Sequence, residues 1–315
     1  MGSMKRKMKI LLARPRGFCA GVVRAIDVVN KAIDRYGAPV YVRHEIVHNK
    51  RVVETLRARG AVFVKELDEV PRGAVTIFSA HGVAEAVEKD AAERGLPVID
   101  ATCPLVSKVH AEGRHHANQG LEVIMIGHNG HPEVEGTRGR VPGGVQVVST
   151  VQDVSALNVK DPQKLAFVTQ TTLSVDDTRD IIEQLRIRFP AIIGPDLNDI
   201  CYATQNRQSS VRDLCQKIDL LLVVGGQNSS NSNRLKEIGM EMQVRSHLID
   251  DAEAFCEDWL DGVQTIGITA GASAPEELII ELLDMLATLG ETTVEEISDV
   301  VENIQFKLPK VLATP

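Results

Sequence analysis

Three of the five cysteines stand where sulfur chemistry is favoured. Cys19 (in GFCAG), Cys103 (in DATCP) and Cys201 (in DICYAT) sit in turns at or near the start of a helical pattern, the position at which a helix dipole favours thiolate. They recur at intervals of comparable length, which suggests three similar α/β units that each contribute one cysteine. Three such thiolates suggest a metal centre: four would close an iron–sulfur site, and three leave one iron open to a ligand. Cys215 aligns with Val211, Leu214 and Ile218, and Cys256 with Ala252, Phe255 and Trp259. Both read as small core residues on apolar helical faces. No CxxC pair occurs, which excludes a zinc ribbon, a dithiol redox pair and a ferredoxin-type run, and no disulfide framework is expected.

A second group of residues follows short apolar segments. In open α/β sheets, ligands bind beyond the carboxyl ends of the strands. The segments in that position are HEIVHN (44–49), SAHG (79–82), GHNGHPE (127–133), TQTT (169–172), GGQNSSNSN (225–233) and TAGASAP (269–275). They are rich in glycine, hydroxyls, amides and histidine and nearly devoid of lysine and arginine, a composition that offers backbone N–H groups and neutral donors to an anion such as phosphate. His48, His81 and His131 share this location. His115 and His116 lie on a polar helix and read as solvated, and His110 and His247 as structural. Glu133, just past Pro132, reads either as a solvated loop carboxylate or as a proton donor in a water-poor cleft.

The elements that position these residues alternate in the α/β manner. Met8–Ala13, Val40–Val42, Val75–Phe78, Val98–Ile99, Val123–Ile126, Leu165–Val168, Leu220–Val224 and Thr265–Ile268 are near-continuous apolar runs, as parallel strands covered on both faces require. Between them, Val22, Ile26, Val29 and Ile33 mark a helix ended by Gly37. Ser174 with Asp177 caps a helix running to about Phe189, and Pro275 opens a helix ending near Gly290.

Composition narrows the function classes. The 315 residues suit two or three domains, and 43% apolar with 25% charged residues excludes disorder. A net charge of −8 without a basic stripe argues against nucleic-acid binding. No run approaches a membrane span, and the apolar stretch Ile10–Ala13 is too short for a signal-peptide core. His44-Glu45-Ile46-Val47-His48 has the HExxH spacing of zinc proteases, but that motif works only on a helix and here directly follows a strand. Neither GxGxxG nor GxxxxGK[ST] occurs.

The segments GFCAGV-x-RA, VYVRHEIVHN, FSAHGV, DATCPLV-x-KVH, GH-x-GHPEVEGT, TQTTLSVDDT, DICYAT-x-NRQ, NSSNSNRL and TAGASAP together resemble the LytB/IspH family, the 4-hydroxy-3-methylbut-2-enyl diphosphate reductases. The resemblance runs from Met8 to about Lys310, leaving residues 1–7 outside it. It implies an α/β fold of three similar domains in a trefoil around a central [4Fe–4S] cluster. The expected divisions are 8–20 (first strand and first cluster cysteine), 21–103, 104–197 and 198–288 (the three domains), and 289–315 (a tail packing back on the core). It implies Cys19, Cys103 and Cys201 as ligands of three irons, the fourth being open to the terminal hydroxyl of substrate. It places His48, His81, His131, Ser229, Ser230, Asn231 and Ser273 on the diphosphate, Thr171 with Thr172 nearby on the hydroxyl, and Glu133 in the proton relay.

The implied activity is reductive dehydroxylation of an allylic diphosphate to isopentenyl or dimethylallyl diphosphate, the last step of the methylerythritol phosphate route. It implies a flavodoxin or ferredoxin as electron donor, while the composition, charge and lack of a span or signal core lead to the expectation of a cytoplasmic location with neither nucleic acid nor membrane as partner. A non-enzymatic iron–sulfur sensor would use the same cysteines, but the phosphate-type loops and the lack of a basic recognition element stand against it. A zinc hydrolase would be distinguished by metal and sulfide analysis.

Overall fold

The computed structural model describes residues 6–297 and 300–313. The chain begins with β1 (Arg6–Ala13), α1 (Ala20–Tyr36), β2 (Val40–Arg43), α2 (Lys50–Ala58) and β3 (Ala61–Val64). It continues through β4 (Thr76–Phe78), α3 (Glu85–Glu93), β5 (Val98–Asp100) and α4 (Pro104–Asn118). Next come β6 (Glu122–Ile126), α5 (Pro132–Arg138), β7 (Val145–Val148), α6 (Val151–Ala156), β8 (Leu165–Thr169) and α7 (Val175–Arg188). The last stretch holds α8 (Tyr202–Cys215), β9 (Leu220–Val224), α9 (Ser230–Glu241), β10 (Arg245–Ile249), β11 (Thr265–Ala270), α10 (Glu276–Leu289), β12 (Gly290–Ile297) and α11 (Lys310–Ala313). Among the described residues every pairing of these strands is parallel. No helix among them is long and apolar enough to cross a membrane.

The chain divides into two units. One comprises the residues up to Cys19, His48–Val52 and Tyr202–Ile304. Its five-stranded sheet has the order β10-β9-β11-β1-β12. Side chains alternate across a strand, so Leu220, Leu222 and Val224 join Met8, Ile10 and Leu12 and the α10 residues Leu278, Ile279, Leu282 and Leu286 on one face. Leu221 and Val223 join Leu11, Ala13, Val211, Leu214, Leu235 and Ile238 on the other. Burial on both faces is why β9 reads as five consecutive Leu and Val residues. β12, in the stretch expected as a tail, runs beside β1 from Arg6↔Gly290 to Ala13↔Ile297.

The other unit, Ala20–Val47, Val53–Cys201 and the residues from Gln305 on, holds two sheets, β3-β2-β4-β5 and β7-β6-β8. Val64, Leu67, Val70, Phe78, Val83, Ala91 and Leu96 form a core beside the first. Phe167, Ile124, Ile126 and Leu185 lie within one core of the second, and Val123, Met125, Val168 and Val109 within another. Of the capping box expected from Ser174 and Asp177 at the start of α7, the Ser174 half is present: its side chain accepts a hydrogen bond from the Asp177 N–H at 3.1 Å. In α1 the buried stripe is Val22, Ala25, Val28, Val29 and Ala32, whereas Ile26 and Ile33 are only partly buried.

Candidate functional site

The loops after β6 and β8, neighbouring strands with Ile126 opposite Thr169, bring an acid and a hydroxyl together. Pro132 at the first position of α5 favours helix initiation at once, which leaves His131 as the N-cap with its Nδ1 accepting the Glu133 N–H at 3.1 Å. The Glu133 carboxylate is then met by Thr171, whose N–H donates to Oε1 at 2.7 Å and whose hydroxyl donates to Oε2 at 2.9 Å. Glu133 is 2% exposed. Burial pushes its pKa up to about 7, against the two Thr171 hydrogen bonds that lower it, while the negative charge of Asp199 adds a smaller upward push. A carboxyl poised there can carry a proton at neutral pH and give it up.

Because His131 Nδ1 accepts the Glu133 N–H, any proton on its ring is carried by Nε2. The ring of His81 lies edge-on to it, centroids 5.9 Å apart, and Ser79 Oγ lies 3.3 Å from His81 Nδ1. The turn that carries His81 depends on Gly82, whose φ is +79° and where a Cβ would meet His110 Cε1 at 2.6 Å. His110 itself is buried, and its pKa is driven down to about 4 by desolvation, with Arg140 adding to the effect, so it stays neutral and structural. Thr172 Oγ1 accepts from Gln170 Nε2 at 3.0 Å, and Gln170 Oε1 receives the His128 N–H at 3.0 Å.

In the first unit, the loops after β9 and β11 meet the segment that carries His48. Ser273 Oγ donates to the His48 carbonyl at 2.9 Å, and Asn228 Nδ2 lies 3.4 Å from His48 Nδ1. A Cβ on Gly226 would fall 2.9 Å from the His48 carbonyl oxygen, so glycine permits this approach. Ser229 caps α9, accepting the Ser232 N–H at 3.3 Å. Asn231 is 3% exposed, yet neither its Oδ1 nor its Nδ2 has a hydrogen-bond partner among the described residues. Burying an amide without partners is costly. An unsatisfied donor beside a helix N-terminus therefore fits a group that accepts hydrogen bonds, as an anion does.

The three helix-start cysteines follow one plan. Cys19, Cys103 and Cys201 immediately precede α1, α4 and α8. Each N–H is held by a neighbouring loop: Cys19 to the Ala272 carbonyl at 3.2 Å, Cys103 to Ala80 at 3.0 Å and Cys201 to Thr171 at 3.1 Å. All three are partly exposed, and no cysteine of the chain is in a disulfide. This is the donor chemistry of a thiolate-bound cluster. Among the described residues, however, no three His, Cys, Asp or Glu side chains form a metal-holding group.

The structure thus brings His81, His131, Glu133 and Thr171 together in one unit, with Thr172 adjoining, and His48, Ser229, Ser230, Asn231 and Ser273 in the other. His44–His48 is not helical, and His44 has φ +61°, so the zinc-protease geometry is absent. Cys215 is buried as expected, but Cys256 is exposed. Residues 252–254 and 257–260 form separate 3₁₀ turns, the first capped by Asp251, so the helical spacing that placed Cys256 in the core does not apply. His116 is half-buried rather than solvated, and its pKa is lowered by that burial. His247 stacks on Trp259, centroids 3.8 Å apart. Sequence reasoning passed over Asn228, Gln170, Asp199 and the fully buried Arg207. Arg207 carried a usable signal, since it falls among the inward residues of α8 (Ala203, Thr204, Gln208, Val211).

Comparison with known proteins agrees along nearly the whole chain. The sequence profile of the LytB protein family matches residues 10–287. A 4-hydroxy-3-methylbut-2-enyl diphosphate reductase of Zymomonas mobilis is 59% identical over 97% of this chain and 90% of its own length. A second, from Rhodopseudomonas palustris, is 58% identical over 97% of this chain and 100% of its own. Among solved structures, the E-1-hydroxy-2-methyl-but-2-enyl-4-diphosphate reductase of Plasmodium falciparum superposes with a TM-score of 0.91 at 36% identity, covering 98% of this chain and 97% of that one.

Proposed function

The chain belongs to the LytB family, and from that premise we propose that it reductively dehydroxylates (E)-4-hydroxy-3-methylbut-2-enyl diphosphate to isopentenyl and dimethylallyl diphosphate. One solved relative, 31% identical, is described as the terminal enzyme of the non-mevalonate pathway, and the reaction takes the same place here. The observation that carries the reading is the near-full-length identity of 59% to a reductase acting on that diphosphate. The buried Glu133–Thr171 pair supports it chemically.

The residues divide the work as follows. Cys19, Cys103 and Cys201 would hold a [4Fe–4S] cluster, which would supply the reducing electrons and a Lewis acid for the hydroxyl. His48, Ser229, Ser230, Asn231 and Ser273, with His81 and His131, bind the diphosphate through neutral donors and a helix start. That is how a chain of net charge −8 holds an anion without a lysine cluster. Thr171 Oγ1 orients the substrate hydroxyl, with Thr172 beside it. Glu133 delivers protons through Thr171, because a site that shelters reducing equivalents from water needs a positioned donor. The reading carries with it three α/β domains arranged as a trefoil around the cluster, a flavodoxin or ferredoxin as electron donor, and a cytoplasmic site of action.

Anaerobically purified protein given an artificial one-electron donor is expected to consume the allylic diphosphate and release both products. Protein with full iron and sulfide content that forms neither would overturn the reading. At the anion site, Asn231→Ala is expected to weaken binding of substrate and product diphosphate alike by about ten- to a hundredfold, the usual loss for a hydrogen bond to a charged group. The fold should keep its thermal stability, because no internal hydrogen bond is lost. His81→Ala is expected to weaken both affinities likewise. Calorimetric titration reads both variants, and unchanged affinities would remove these residues from the site.

A further inference from the structure

The loop before each helix-start cysteine is held by a cation, and the three cations stand at the fifth or sixth position of their helices. Arg24, the fifth residue of α1, donates from Nη1 to the carbonyls of Ala101 at 3.1 Å and Thr102 at 3.0 Å, the two residues before Cys103. Lys108, the fifth residue of α4, donates from Nζ to the Asn198 carbonyl at 3.2 Å and to Asp199 Oδ1 at 3.0 Å, just before Cys201. Arg207, the sixth residue of α8, donates from Nη2 at 2.8 Å and Nε at 3.2 Å to the Gly17 carbonyl, two residues before Cys19. The helix opened by Cys19 therefore secures the loop of Cys103. The helix opened by Cys103 secures that of Cys201, and the helix opened by Cys201 secures that of Cys19.

These Arg24 and Arg207 contacts are buried or part-buried, whereas the Lys108 side chain is 40% exposed. Arg207 is wholly buried and is also paired with Glu302 at 3.0 Å, while Asp199 has no exposed side-chain surface. A charged donor on a backbone carbonyl fixes the loop more firmly than a neutral one, and fixing the residues next to a ligand is how an outer shell orients it. We propose that Arg24, Lys108 and Arg207 are positioning residues that pre-set the three thiols in one closed order, each helix fixing the cysteine that follows it in the cycle. The proposal deepens the cluster reading and rests on it for its purpose. The braces themselves can be tested without the cluster.

The discriminating property is that each cation holds the loop before the next cysteine and not the loop before its own, although Arg207 Nη1 also donates to the Ala203 carbonyl at 2.9 Å within its own helix. The full-length chain, stripped of iron with a chelator under anaerobic conditions, is alkylated with iodoacetamide over time, and each cysteine peptide is quantified by mass spectrometry. Arg24→Met is expected to speed labelling of Cys103 about tenfold, as loss of charged hydrogen bonds frees the loop, with Cys19 and Cys201 unchanged. Lys108→Met should do the same for Cys201 alone, and Lys108→Arg should restore the wild-type rate. Arg207→Lys, milder than removal of a buried charge, should affect Cys19 alone. Equal acceleration of all three cysteines would mark general destabilisation, and either that or no acceleration would overturn the proposal. Iron and sulfide uptake by the same variants gives the second readout. Wild-type protein that takes up neither would overturn the cluster reading, while the labelling pattern would still decide the braces.

Discussion

Cys19→Ser, Cys103→Ser and Cys201→Ser are each expected to abolish the visible absorption of the cluster together with turnover, whereas Cys215→Ser and Cys256→Ser keep both. The contrast follows from where the thiols stand. Each of the first three precedes a helix and is partly exposed, and its N–H is fixed by a loop at a strand end. Cys215 is packed among Val211, Leu214 and Leu235, and its thiol is pushed up to about 11 by burial alone, so it does not supply thiolate at neutral pH. A hydroxyl there costs stability, on the order of 1–3 kcal/mol for an unpaired polar group, but leaves the cluster untouched. Cys256 is exposed at the start of a 3₁₀ turn. Iron and sulfide analysis with absorption spectra of the five variants checks the assignment, and full activity in any of the first three would sink it.

Glu133→Gln is expected to lower kcat by about 10²–10⁴, the usual share of general acid catalysis, with cluster content and substrate affinity close to wild type. The amide preserves the local bonding: its oxygen accepts the Thr171 N–H, and the Thr171 hydroxyl can turn to accept from the new amide nitrogen. What is lost is the proton. Single-turnover reduction compares the two proteins, and near-wild-type product formation would assign proton delivery elsewhere. The variant has a second signature. Since the folded pKa of Glu133 is raised from 4.5 to about 7, its contribution to stability is fully present below about 4.5 and is lost as pH rises through about 7. Asp199, also raised by burial, has the same sign. Thermal melts should therefore show wild type losing stability toward neutral pH, on the order of 3 kcal/mol from Glu133, with the loss reduced in Glu133→Gln. Wild-type turnover should likewise fall as pH rises above about 7.

The elements most legible in the sequence were the strands buried along their length. β4, β6, β8, β9 and β11 are buried along nearly their whole length and so are written as near-continuous apolar runs. β3, β7, β10 and β12 are each at a sheet edge. With one side open, Arg245-Ser246-His247 in β10 and the Glu-rich β12 carry no such run. The strand-end residues were legible because function concentrates there in this fold class. The Glu133–Thr171 pairing was not, since two loops some forty positions apart must first meet. Least legible of all were Arg24, whose partners are backbone carbonyls that leave no mark of residue type, and Lys108, whose loop partners lie some ninety positions away. Cys256 shows the converse error, a periodic pattern without the helix that would give it meaning.

The central place of β1 has a consequence for how the molecule is made. Its neighbours on either side are β11 and β12, with Lys9 opposite both Thr265 and Thr293. On the ribosome the Met8–Ala13 segment emerges about 250 residues before β11 and finds neither neighbour until then, a wait of roughly ten to fifty seconds at usual elongation rates. Through that interval an apolar strand with two bare edges is open to wrong pairing, while the sheets of the second unit, whose partners are close in sequence, can already assemble. Nascent chains stalled before Thr265 are therefore the ones that most need a chaperone, and the strand that leads to Cys19 is among the last parts of the molecule to find its place.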